Sequence, residues 1–70
     1  MNKYRVMQAA NRHTPGREVA RKDTLEAARR SCVYHKGHGG KDSTIWIDYI
    51  RRVDGHEDYE RVYTYHDGGI

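Results

Sequence analysis

Three side chains able to hold a metal or act as nucleophile and base recur at a three-residue interval: Cys32, His35 and His38. On a helix, residues three apart share a face, and a thiolate beside imidazole is zinc chemistry. A structural zinc needs a fourth ligand, and only the distant His13, His56 or His66 could supply it. Cys32 with His35 is also the pairing of a cysteine nucleophile and its base. Simpler roles compete with both. Cys32 falls on the apolar stripe of its segment, where a thiol is inert, and His35 stands where a cation complements a helix C-terminus. Gly37, Gly39 and Gly40 echo a phosphate loop. They follow a helix instead of preceding one, so the dipole points the wrong way for an anion. The Asp and Glu residues are scattered, without the paired arrangement that acid–base catalysis uses. The sequence therefore predicts no catalytic residue, no metal site and no cofactor.

The elements that would carry these residues follow from local pattern. Lys3 to Ala10 alternates Tyr4, Val6 and Gln8 against Lys3, Arg5 and Met7, a strand signature. Asn11 to Gly16 has turn chemistry. Arg17 to Lys22 reads as a short, charged edge strand with Val19 on one side and Glu18 and Ala20 on the other. Asp23-Thr24-Leu25-Glu26 matches a capping box opening a helix. Leu25, Ala28 and Cys32 make the helix's apolar stripe, and Gly37 is expected just past its end. His38-Gly39-Gly40-Lys41-Asp42 is expected to be a flexible loop. Ser43 to Val53 is the longest strand signal. Asp54-Gly55 is a hairpin turn, Glu57 to His66 the return strand, and Asp67-Gly68-Gly69-Ile70 a frayed end. The expectation is an α+β fold: a four-stranded antiparallel sheet in β-β-α-β-β order, with one helix packed on one face.

Composition sets the limits. Seventy residues make one domain, spanning 1–70. Valine, isoleucine and leucine number only ten and phenylalanine is absent, so six tyrosines and Trp46 must supply bulk. A formal net charge of +3 is too low to favour disorder. The lone cysteine excludes an intramolecular disulfide and suits a reducing compartment. No apolar run approaches the ~20 residues that span a bilayer, so a cytoplasmic site without membrane contact is expected. Nine of the thirteen cations are arginine, the residue suited to carboxylate, phosphate and aromatic faces.

The hairpin sorts side chains by face. With a two-residue turn, Val53 stands opposite His56, Arg51 opposite Asp58, Tyr49 opposite Glu60, Ile47 opposite Val62 and Ile45 opposite Thr64. Arg52 then meets Glu57, Ile50 meets Tyr59, Asp48 meets Arg61 and Trp46 meets Tyr63. Ile45, Ile47, Tyr49 and Val62 should face the helix. Trp46, Ile50, Arg52, Tyr59, Arg61, Tyr63 and Tyr65 should face away, leaving a side rich in the residue types of interface hot spots. The expected role is a non-enzymatic protein-binding module using those seven residues. A homodimer on that face, or tyrosines merely sealing the back of the sheet, are the structural alternatives. The functional alternative is a small basic nucleic-acid binder or regulator, in which aromatics stack bases and arginines neutralise phosphates. The glycine–phenylalanine pattern of RNA-binding sheets is missing, and Asp48, Glu57 and Asp67 dilute the positive field.

Tyr4-Arg5-Val6, then Gly16-Arg17-Glu18-Val19-Ala20 running into Thr24-Leu25-Glu26-Ala27-Ala28-Arg29-Arg30, then the Cys32/His35 segment and a terminal hairpin, form a layout similar to small phage-encoded anti-CRISPR proteins of the type I-F class. The resemblance lies in pattern over about two-thirds of the chain. It implies a stoichiometric anti-defence inhibitor, acting in the host cell cytoplasm, that docks on a host protein–nucleic-acid complex, the Cas surveillance complex, and blocks or misdirects its DNA binding. The Gly39-Gly40 loop and the tyrosine-rich last strand depart from that layout, and no functional residue is carried over from it.

Overall fold

Four stretches of the chain alternate their side chains between two environments, and each forms a strand. The computed structural model describes residues 2–11, 13–37 and 42–65. Its elements are β1 (Tyr4–Ala9), β2 (Arg17–Lys22), α1 (Leu25–Gly37), β3 (Thr44–Val53) and β4 (His56–Tyr65). One antiparallel sheet of order β2-β1-β3-β4 results, with α1 against one face. This is the α+β architecture expected. The anticipated loop at His38-Gly39-Gly40-Lys41, the last strand residue His66 and the terminal Asp67-Gly68-Gly69-Ile70 lie outside the described residues.

The helix begins one residue later than its capping signature suggests. Thr24, not Asp23, is the cap: its Oγ1 accepts from the Ala27 N–H at 3.1 Å, and its carbonyl accepts from the Ala28 N–H at 3.1 Å. Glu26 reaches forward to Arg30 (3.2 Å). Gly37 is the last helical residue instead of the first beyond it. Lys36 Nζ donates to the Ser43 carbonyl at 2.9 Å, tying the end of α1 to the approach of β3.

At the hairpin, Asp54 and Gly55 both adopt positive φ, 50° and 86°. That is the pair of left-handed residues a two-residue type I′ turn requires, and glycine takes the second without strain. Val53 pairs with His56, and the expected register holds back to Asp48 opposite Arg61. There it breaks. Ile47 pairs with Tyr63 and Ile45 with Tyr65, because Val62 is an extra residue on β4. A one-residue bulge inverts every side chain beyond it.

The core lies between sheet and helix. Val6 from β1, Ile45 and Ile47 from β3, and Ala28 and Cys32 from α1 are buried together. Tyr4, Val19, Ala20, Tyr63 and Tyr65 pack around them. Complete burial of an isoleucine side chain contributes about 1.5–3 kcal/mol. The bulge adds two tyrosine rings to this small cluster and leaves Val62 45% exposed, so Val62 is not a core residue. A second bulge at Val19 brings both Val19 and Ala20 to the helix side, with Glu18 opposite Met7 on the other. Leu25, expected on the apolar stripe, is 36% exposed at the first turn of α1.

The face away from the helix is also closed. Met7, Ala9, Asp48 and Ile50 are buried there, although no helix covers them. Part of the cover is the turn after β1. Asn11 Oδ1 accepts from the His13 N–H at 2.8 Å, and Thr14 N–H donates to the Asn11 carbonyl at 3.3 Å. The chain then passes over the indole of Trp46 at Gly16, where a Cβ would collide with the far edge of the ring. Glycine is required by that approach.

Candidate functional site

The far face draws on all four strands, taking every second residue except where the Val19 bulge interrupts β2. β2 contributes Glu18 and Arg21, β1 Arg5 and Met7, β3 Trp46, Asp48, Ile50 and Arg52, and β4 Glu57, Tyr59 and Arg61. Strand pairing sets arginine stems and aromatic rings side by side. Ion pairs then lock them.

Arg21 is the hub. It meets Glu18 at 2.5 Å on its own strand and Glu57 at 3.1 Å from β4, spanning the sheet. Arg52 approaches Glu57 at 3.4 Å, and Tyr59 donates its hydroxyl to Glu57 at 2.7 Å. These contacts show in the acidities. Hydrogen bonds first from Arg21 and then from Tyr59 hold the Glu57 carboxyl down at about 2. The Tyr59 hydroxyl is raised, chiefly because it donates to Glu57. Glu18 and then Glu57 push the Arg21 guanidinium further up.

Arg5 forms a second centre. Its Nε donates to Asp48 Oδ2 at 2.9 Å, and its guanidinium carbon lies 3.3 Å from the centroid of the Tyr59 ring. Asp48 is buried, so the pair is partly desolvated and its partners depend on each other. The third centre is Arg61, whose guanidinium carbon sits 4.6 Å from the Trp46 ring. Arg61 was expected to pair with Asp48 across the hairpin. Asp48 takes Arg5 instead, and Arg61 is left to stack. Beyond this face, Arg51 pairs diagonally with Glu60 at 2.8 Å, not with Asp58 directly opposite.

Of the seven residues expected on this face, Trp46, Arg52, Tyr59 and Arg61 come together there. Ile50 points the same way but is only 3% exposed, opposite Tyr59, so it supports the surface without presenting one. Tyr63 and Tyr65 do not belong to it. The Val62 bulge turns both to the helix side, where Tyr63 lies 5.3 Å beneath the Arg29 guanidinium. Arg5, Arg21 and Glu18 were missed. Their signal was the alternation in β1 and β2, which needed strand order before it could be joined to the hairpin.

The helix-side chemistry takes a different form. Burial pushes the Cys32 thiol up to about 11, with Arg29 opposing weakly, so its sulfur stays protonated and is a poor nucleophile or ligand. Among the described residues, no group of three His, Cys, Asp or Glu side chains could hold a metal ion, and the candidate ligands His38 and His66 lie outside the described residues. Also among the described residues, no helix is long and apolar enough to cross a membrane. In comparisons with protein-family models, with curated proteins and with solved structures, nothing matches the chain.

Proposed function

We propose that the chain is a non-enzymatic protein-binding module that docks through the far face of its sheet, with Trp46, Arg61, Tyr59, Arg5 and Arg52 at the contact. The carrying observation is the stacking of Arg61 on Trp46 and Arg5 on Tyr59, beside a Tyr59 that is 42% exposed. Tryptophan, tyrosine and arginine dominate interface hot spots. Here their rotamers are already held by stacking and ion pairs, so less side-chain entropy is lost on docking.

Charge favours a protein over a nucleic acid. The arginines Arg5, Arg21 and Arg52 are each matched by Asp48, Glu18 or Glu57, which among the described residues leaves Arg61 as the face's unmatched cation. A phosphate backbone is bound through many uncompensated cations. The finer reading, a phage-type anti-defence inhibitor seated on a host nucleoprotein complex, rests on the pattern resemblance alone.

The test is affinity capture from cells of the natural source, comparing wild type with an Arg61→Ala/Tyr59→Ala variant of unchanged circular dichroism. Loss of the captured protein in the variant is the expected result. Equal yields from both would remove the far face from consideration. Capture that disappears after nuclease treatment, with affinity falling steeply as salt rises, would transfer the face to the nucleic-acid reading.

A further inference from the structure

A second surface lies on the opposite side of the sheet. β2 is an edge strand: β1 pairs with one side of it, and among the described residues no strand pairs with the other. Next to that edge, a groove of about 480 Å³ runs between β2 and α1. Its helix wall is one face of α1, since Ala27, Arg30, Ser31 and Tyr34 recur at i, i+3, i+4 and i+7. Its strand wall exists because the bulge brings Val19 and Ala20 to the helix side together.

The lining is apolar along Val19, Ala20, Ala27 and the Tyr34 ring, neutral and polar at Ser31, and cationic at Lys22 and Arg30. Its basic members are Lys22, Arg30 and His35, and no carboxylate lines it among the described residues. One acid beside it is Glu26, paired with Arg30 at 3.2 Å, and both side chains are largely exposed. Such a pair is weak and can exchange for another carboxylate.

We propose that this groove takes an acidic, strand-forming peptide from a partner protein, which extends the sheet at β2. An edge strand offers unpaired backbone donors and acceptors that an added strand satisfies. β2 has six residues, which sets the length of the complementary peptide. Side chains alternate along a strand. Those of the peptide that turn toward α1 enter the groove, where small or branched apolar groups meet Val19, Ala20 and Ala27. Carboxylates at the ends of the segment meet Lys22 and Arg30. The same cations reject a basic segment, which gives the site a direction of choice. The site does not depend on the far-face reading, because the sheet separates it from Arg61.

The experiment is selection of a random peptide display library on the full chain, followed by solution binding of the selected peptides. Selected sequences are expected to be acidic with alternating apolar residues. Lys22→Glu with Arg30→Glu, checked by circular dichroism, should weaken them by about tenfold or more, whereas Arg61→Ala leaves them unchanged. N-methylation of alternate peptide amides should abolish binding, and hydrogen exchange should slow at β2 amides pointing away from β1. These last two readouts require no change to the protein. A selection yielding only neutral or basic peptides, peptides indifferent to the charge reversals, or no binder at all overturns the proposal. So does binding that survives N-methylation.

Discussion

The two faces of this sheet are closed by different chemistry. On the helix side, Val6, Ile45, Ile47, Ala28 and Cys32 exclude water by apolar contact. On the far side, Met7, Ala9, Asp48 and Ile50 are buried, slightly less completely, beneath arginine stems, two aromatic rings and a turn. One helix shelters one face. A chain with ten aliphatic residues of the valine, isoleucine and leucine type cannot build a second apolar layer. It uses amphipathic side chains instead, whose stems cover carbon while their heads pair in water. The apolar face is non-directional, and its stability follows volume. The polar face is directional, and its stability follows pairing.

Ile47→Ala tests that contrast most severely. Ile47 is wholly buried at the centre of β3, opposite Tyr63 and beneath α1. The lost contacts and the cavity together should cost about 4 kcal/mol. For a domain this small that is a large part of its stability, and urea titration should show a much lower midpoint or an unfolded chain. A loss below about 1 kcal/mol would mean that the helix side is loosely packed and that the contrast between faces is wrong.

Arg5→Ala comes next and probes the other face. It strands the buried Asp48 carboxylate and uncovers the Tyr59 ring, at an expected cost of about 3 kcal/mol. Adding Asp48→Asn should restore part of the loss, because the amide carries no charge to leave unpaired. Additive losses in that double-mutant cycle would show that the two residues act independently. Apolar substitution could not restore stability in the same way at Ile47. The asymmetry is the signature of a face held by pairing.

How much of this was legible in the sequence differs by face. The helix-side residues Ile45, Ile47, Ala28 and Cys32 follow from periodicity, which reports burial directly. The Asp54-Gly55 turn was equally legible, since its two positive φ values demand that chemistry. Tyr63 and Tyr65 were not. Nothing in Arg61-Val62-Tyr63 marks a bulge, and the gain that selects it, two rings added to a small core, depends on a helix placed far away in sequence. The far-face network was half visible. Arg52 and Glu57 could be paired across the hairpin, but Arg21 reaches Glu57 and Arg5 reaches Asp48 only once β1 lies between β2 and β3. Thr24 displaced Asp23 as cap for a local reason: two adjacent residues both suit the position, and β2 runs to Lys22, which leaves Thr24 nearer the first turn.

The mildest expected effect concerns Glu57, where the far-face network meets solvent. Its folded-state pKa of about 2 lies below the ordinary value of 4.5, so folding favours the charged form. The stabilisation is therefore complete above about 4.5. It shrinks as the pH falls below that value, because the unfolded chain takes up the proton first, and it is lost as pH passes about 2. Arg21 keeps its charge throughout this range, so the carboxyl alone sets the profile. Glu57→Gln should lower the thermal midpoint by a constant amount near neutral pH, and the gap to wild type should close on acidification through that window. Because Glu57 and Arg21 are both partly exposed, added salt should narrow the gap near neutral pH as well. Ile47→Ala should show neither dependence on its own account, since no proton or ion takes part in its contacts. A Glu57 gap that stayed constant down to the acid limit would show that Arg21 does not hold the carboxyl in solution, and the face would then depend on the Arg5–Asp48 pair and the Arg61–Trp46 stack.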